Sequence, residues 1–298
     1  MAKQPAAKAP LTVGALIEQA ARRFERKGLV FGHGTHNAYD EAAWLMLHTL
    51  GAPIDSLAEQ LERVPTPAQA RRFEQLVAER IEKRIPAAYL LREAWLGPHR
   101  FYVDERVIVP RSFIYELLAE ELAPWIADPG QVRSVLDMCT GSGCLAILAA
   151  LAFPNAEVDA VDLSEDALAV AEKNVADYGL RHRVRLVRSD MFRKLPRKPY
   201  DLIISNPPYV DAQSMQTLPA EYRHEPAMAL GSGRDGLEAT RVILREAKHY
   251  LKEDGLLVVE IGHNRAQLER AFPHLPFTWL EVSAGDEYVF LLERRQLP

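Results

Sequence analysis

Cysteine is nearly absent from this chain: 298 residues carry two, Cys139 and Cys144. Two thiols at that spacing build neither the disulfide framework of a secreted domain nor a zinc cluster. No apolar run reaches the roughly 18 residues of a transmembrane helix. The opening MAKQPAAKAP lacks the continuous apolar stretch of a secretory signal and reads as a disordered tail. The nine histidines show no two-on-one-helix-face pattern. His33 and His36 with Asp40 imitate a metal site, but glycines surround them, and the reading is that no metal is held. Internal repeats are lacking too. What remains is a reduced, cytoplasmic protein, 48% apolar and 26% charged. That is an ordinary globular mix, long enough for two domains.

Positive charge is scarce where it would matter for a nucleic-acid binder. Residues 1–95 carry 13 Lys/Arg against 11 Asp/Glu, whereas the remaining 203 carry 23 against 30. The larger part is therefore net negative by seven, which suits a basic protein partner better than a phosphate backbone.

Hydrophobic periodicity divides the chain. Val13, Leu16, Ile17, Ala20 and Phe24 recur at helical spacing behind Thr12, a candidate N-cap. Further amphipathic runs cover Ala42–Leu50 and Pro67–Ile85. These three predict a helical domain over residues 1–95 with its charged faces outward. Trp95–Val109 then reads as a β-hairpin, making residues 96–111 a linker, and an apolar helix is expected over Phe113–Trp125. Residues 112–298 form the second domain, with strands expected at Ser134–Cys139, Glu157–Leu163, Val184–Ser189, Tyr200–Ser205 and Leu256–Ile261. Helices between them imply a parallel α/β sheet covered on both faces. The last two strands, Phe277–Ser283 and Glu287–Glu293, are too close in sequence for a crossover and must pair antiparallel. Seven strands result, in a doubly wound, Rossmann-like sheet closed by an antiparallel C-terminal hairpin.

The first chemical signal is Asp137-Met138-Cys139-Thr140-Gly141-Ser142-Gly143, a buried strand running into a glycine turn that opens a helix. Such a turn lets a ligand approach the backbone and offers free N–H donors. Gly141, Gly143 and Ala146 also satisfy a dinucleotide pattern, so this motif alone suits a nicotinamide cofactor and S-adenosylmethionine about equally. Asp162, ending the second strand, can accept both ribose hydroxyls of either. Asp137 separates them, since a carboxylate at the loop repels a pyrophosphate and suits a cationic methionyl group. Asp190, ending the third strand, is a candidate acceptor for the adenine amino group. Cys139 and Cys144 flank the loop as packing residues, not nucleophiles.

The deciding segment is Asn206-Pro207-Pro208-Tyr209, which ends an apolar strand at the carboxyl edge of the sheet. Two prolines stiffen the loop and remove N–H donors, so carbonyls can face outward. The Asn206 side-chain oxygen and the Pro207 carbonyl can then accept from one planar –NH2 group, with the Tyr209 ring as a stacking wall. His224 and Glu225, further along, read as residues that order their loop.

These residues resemble the amino methyltransferases that act on planar nitrogens: adenine-modifying DNA enzymes and protein glutamine methyltransferases. From about Leu11 onward the chain is similar to the glutamine group, in which a helical N-terminal domain and a hairpin linker precede a methyltransferase sheet. One branch modifies peptide-chain release factors and another the large-subunit ribosomal protein uL3. Val109-Pro110-Arg111-Ser112 with Glu116-Leu117 resembles the ribosomal branch, as does Leu218-Pro219-Ala220-Glu221-Tyr222-Arg223-His224-Glu225-Pro226 with Gly231 and Asp235-Gly236-Leu237. So do Gly32-His33-Gly34-Thr35 and Asp40-Glu41-Ala42. Met191 stands where the release-factor branch often carries tryptophan. The resemblance implies methyl transfer from S-adenosylmethionine to a glutamine of uL3. Catalysis would rest with Asn206, Pro207, Pro208 and Tyr209. The cofactor would lie on Asp137, Cys139, Thr140, Gly141, Ser142, Gly143, Asp162, Asp190, Met191 and Asn206. The rival acceptors are a release factor and an adenine of nucleic acid, the latter expected to need a basic cleft that the charge distribution does not offer.

Overall fold

A computed structural model describes residues 11–298; the tail expected to be disordered lies outside the described residues. The chain forms two compact units that divide between Leu91 and Arg92.

The first unit is helical: Val13–Arg26, Ala38–Leu50, Leu57–Gln60, Pro67–Lys83 and Ala87–Leu91. Local chemistry sets the boundaries. Thr12 Oγ1 accepts the Ala15 N–H, Asn37 caps the second helix and Gly51, at φ 66°, ends it. Thr66 and Gln69 close a reciprocal capping box ahead of Pro67. The stripes named above meet as a core of Phe24, Leu45, Phe73 and Leu76. Within it Arg80, wholly buried, donates to Glu41 Oε1 at 2.7 Å and to the Val30 carbonyl at 2.9 Å. Burial raises the Glu41 pKa against the opposing pull of Arg80. Two short helices, Leu57–Gln60 and Ala87–Leu91, were not foreseen, since one turn carries too little periodicity to read.

The second unit opens with a hairpin, β1 (Ala94–Leu96) and β2 (His99–Phe101). The pairing stops at Phe101, short of the expected Val109. The central sheet comprises β3 (Ser134–Met138), β4 (Glu157–Asp162), β5 (Val184–Arg188), β6 (Tyr200–Ser205), β7 (Leu251–Glu260), β8 (Thr278–Val282) and β9 (Gly285–Glu293). Its order is β5-β4-β3-β6-β7-β9-β8. The first five strands are parallel, and β9 runs antiparallel to both β7 and β8. Alternation along the strands separates two cores. Val135, Val158, Leu202 and Val258 pack with helix Cys144–Ala152 on one face. Leu136, Val161, Ile203 and Leu257 pack with helices Glu238–Glu246 and Arg265–Ala271 on the other. β7 begins five residues before the expected Leu256, because Leu251 pairs with Tyr200 ahead of a register shift. The helix expected over Phe113–Trp125 covers only Ile114–Ala119. Glu121 and Leu122 turn to left-handed φ, and Pro124 disfavours helical backbone before it.

Candidate functional site

The carboxyl ends of β3, β4, β5 and β6 converge, as they must in a parallel sheet, and the glycine turn after β3 lies among them. Its two glycines do different work. At Gly141 (φ 54°) a Cβ would meet nothing within 4 Å, so its backbone faces open space. At Gly143 (φ 79°), which caps helix Cys144–Ala152, a Cβ would press on the Ala171 Cβ at 3.1 Å. Gly141 therefore admits a ligand, and Gly143 lets two helices approach.

Two aspartates brace the turn. Asp162 Oδ2 accepts the Gly141 N–H and Oδ1 the Ser164 N–H, both at 2.9 Å; burial raises its pKa in spite of these bonds. Asp137 is wholly buried and accepts from Thr140 Oγ1 at 2.5 Å. Its Oδ1 completes no hydrogen bond, and burial pushes its pKa up to about 7. Cys139 and Met191 both hold left-handed φ, 64° and 47°, and their sulfurs meet at 3.9 Å. Burial also pushes the two thiols up, that of Cys144 to about 12, so neither is a nucleophile at neutral pH.

In front of the turn lies a cavity bounded by Cys139, Gly141, Asp162, Asp190, Met191, Asn206 and Pro208. These are seven of the site residues expected from sequence. Asp137, Thr140, Ser142 and Gly143 do not line it; they sit behind the turn and hold its shape. Asp190 also pairs with Arg193 at 2.7 Å. The donor set fits S-adenosylmethionine. A carboxylate ending β4 and an open glycine backbone stand beside apolar sulfur side chains, with a buried carboxylate oxygen that completes no hydrogen bond behind.

A second cavity lies on the other side of the signature, against Asn206, Pro207, Tyr209, Leu218, Tyr222 and Arg111. The two cavities share three residues, Ile108, Asn206 and Ala229. Asn206 thus stands at the junction, with Pro208 facing one cavity and Pro207 and Tyr209 the other. The loop is held rigidly. Asn264 Nδ2 donates to the Tyr209 carbonyl at 2.7 Å. Gly236 and Gly262 press so closely that a Cβ would fall 2.4 Å from that carbonyl oxygen and 2.6 Å from the Tyr209 ring, respectively. Ser205 Oγ, just before the signature, donates to the Met138 carbonyl of β3 at 2.7 Å.

Several site residues escaped the sequence reading. The non-strand segment after β2 brings Arg106, Val107 and Ile108 to the first cavity. Glu225, expected from sequence to order its own loop, also holds this segment: it accepts the Val109 N–H at 3.0 Å and takes a two-pronged bond from Arg111 at 2.6 and 2.7 Å. Burial opposes the charge of Arg111, yet this partner holds its pKa above the ordinary value. Asn174, buried on helix Glu165–Asp177, accepts the Tyr102 N–H and donates to the carbonyls of Tyr102 and Ser142. His224 lines neither cavity. Among the described residues no group of three His, Cys, Asp or Glu is disposed to hold a metal, and no helix is long and apolar enough to cross a membrane.

Comparison with known proteins places the chain in a family. Residues 116–223 match the family "Methyltransferase small domain" and residues 15–91 the "PrmC N-terminal domain". The ribosomal protein uL3 glutamine methyltransferase of Neisseria meningitidis serogroup B is 56% identical over 96% of this chain and 94% of its own. That of Burkholderia pseudomallei is 55% identical over 96% of each. Among solved structures, the hMettl16 catalytic domain bound to a MAT2A 3′UTR hairpin shares the fold, at TM-score 0.51 and 16% identity over 76% of this chain and 80% of that one. With its sheet, its helical first unit and relatives this similar over nearly its whole length, the chain belongs to the ribosomal protein uL3 glutamine methyltransferase family.

Proposed function

We propose that this protein transfers a methyl group from S-adenosylmethionine to the side-chain amide nitrogen of a glutamine in ribosomal protein uL3, giving N(5)-methylglutamine. The observation that carries this reading is the meeting of two cavities at Asn206. One suits the methyl donor and the other a flat amide.

Bound S-adenosylmethionine would supply an electrophilic methyl group on a sulfonium and leave as the neutral thioether, with one proton of the amide nitrogen passing to solvent. The protein's part is orientation. An amide nitrogen is a poor nucleophile because its lone pair is delocalised, so holding it in line with the methyl group lowers the barrier. Asn206 Oδ1 and the Pro207 carbonyl accept the two amide hydrogens, and the Tyr209 ring covers the amide plane. As positive charge grows on the nitrogen these bonds strengthen, stabilising the transition state more than the ground state. Behind the turn, Asp137 and Thr140 fix the backbone that faces the donor, and Asp162 takes the ribose.

Partner and place follow from the same reading. The helical unit, ending at Leu91, serves substrate recognition, and the net negative charge of the remainder favours a basic ribosomal protein encountered in the cytoplasm. The test is a labelled-methyl assay offering uL3, a peptide-chain release factor and adenine-containing DNA side by side. Label in uL3 alone is expected; label confined to release factor or to DNA would overturn the acceptor.

A further inference from the structure

Residues 102–113 form a strap without regular structure that walls both cavities, and buried side chains of other elements hold it at three points. At the donor end Asn174 accepts the Tyr102 N–H at 2.7 Å and donates to the Tyr102 carbonyl at 3.0 Å, while Asp104, within the strap, takes the Tyr102 hydroxyl at 2.9 Å and Arg106 at 2.8 and 2.7 Å. Glu225 takes Val109 and Arg111 from across the second cavity. Glu260 takes the Ser112 hydroxyl at 2.6 Å and the Phe113 N–H at 2.8 Å.

Glu260 is the least expected of the three. It is 2% exposed and ends β7, one residue past the Ser205–Val259 pairing, so it follows its strand where Asn206 follows β6. It lines neither of the two cavities. Its charge is felt at the Tyr209 hydroxyl, as is that of Arg111. A carboxylate in an otherwise apolar layer is costly unless its bonds serve a purpose.

Resting on the transferase reading above, we propose that Glu260 is a positioning residue for the acceptor: it fixes Ser112 and Phe113, hence Arg111 and the acceptor-side wall facing Tyr209. The donor end has its own anchor in Asn174, so the effect falls on the acceptor alone. The groups facing Glu260 are the Ser112 hydroxyl, the N–H groups of Phe113 and Ile114, Arg111 and Tyr209. Burial pushes its pKa up to about 7, against the pull of these donors. The ionised form binds them best and is lost as pH falls through that value.

The test uses the full chain and labelled-methyl kinetics on uL3, with donor affinity from calorimetry. Glu260→Gln should raise the acceptor KM about tenfold, as expected for weakening a charged hydrogen-bond pair, while the donor Kd stays unchanged. In the wild type the acceptor KM should rise as pH falls through about 7, and Glu260→Gln should abolish that step. Ser112→Ala should raise the KM less and keep the step. A folded Glu260→Gln with wild-type acceptor KM would overturn the proposal, as would donor Kd and acceptor KM rising together. Should Glu260→Gln not fold, a wild-type KM in Ser112→Ala would overturn it. Failure of the wild type to label uL3 overturns the acceptor assignment instead; the KM ratio is then taken on whichever acceptor the wild type labels.

Discussion

At the residue scale the two cavities turn on Asn206. Asn206→Ala removes one of two proposed acceptors for the amide hydrogens and leaves the glycine turn and Asp162 untouched. Methyl transfer should fall by at least about a hundredfold, the usual cost of losing a transition-state hydrogen bond. Donor affinity measured by calorimetry should stay within a few-fold. Gly262 tests the wall. Its φ of 55° suits glycine, and a Cβ there would fall 2.6 Å from the Tyr209 ring. Gly262→Ala must push that ring into the second cavity, so transfer should fall while the far-UV circular dichroism spectrum is retained. Asn206 to Tyr209 were legible in the sequence because they are contiguous and their chemistry is local. Gly262, Asn264 and Glu260 were not, because each reaches the signature or its surroundings from another element, and no spacing rule connects them to it.

At the scale of elements, the junctions matter more than the elements. Asn174 sits in the middle of helix Glu165–Asp177, yet its bonds go to Tyr102 in the strap and to the Ser142 carbonyl in the glycine turn. Asn174→Ala leaves three backbone groups without that partner and should cost about 2–4 kcal/mol in chemical denaturation. Donor affinity should weaken in the same variant, since strap and turn together wall the first cavity. The five parallel strands and the final hairpin were readable because burial on both faces makes strands apolar and short turns force antiparallel pairing. The strap was misread as hairpin beyond Phe101. Phe101, Val103, Val107 and Val109 alternate and are buried as a strand's would be, but the strap's polar bonds go to Asn174 and to the carboxylates of Asp104, Glu225 and Glu260, not to a strand partner. The helix expected to Trp125 ended at Ala119 because apolar periodicity does not register left-handed backbone.

At the scale of the molecule, buried carboxylates set the pH response. Asp137 and Glu260 are both pushed up to about 7, so over the span from their unfolded values near 4 to about 7 the folded state binds more protons than the unfolded one. Stability must therefore fall as pH rises through that window. Asp104, Asp159 and Asp201 are held below their ordinary values, the first chiefly by Arg106, the others by partners that outweigh burial. Their contribution has the opposite sign, present above about 4 and lost as pH falls through their lowered values. The donor-free protein should accordingly show its highest melting temperature in mildly acidic buffer. Asp137→Asn should flatten the decline toward neutral pH, measured by scanning calorimetry across pH 4.5–8.

Two domains, a parallel sheet with an antiparallel end, a glycine turn and an Asn-Pro-Pro-Tyr loop follow from the sequence by itself. Each is written in neighbouring residues whose spacing, propensity or lack of an N–H decides local backbone. Only the tertiary structure decided which expected cofactor residues face the cavity. Gly141 and Gly143 carry the same letter two positions apart, and packing against Ala171 alone tells them apart. It also brought Asn206 to the junction of two cavities and set Glu225 and Glu260 on a strap more than a hundred residues away in sequence. Local chemistry specifies elements; long-range hydrogen bonds in a low-dielectric interior specify the site.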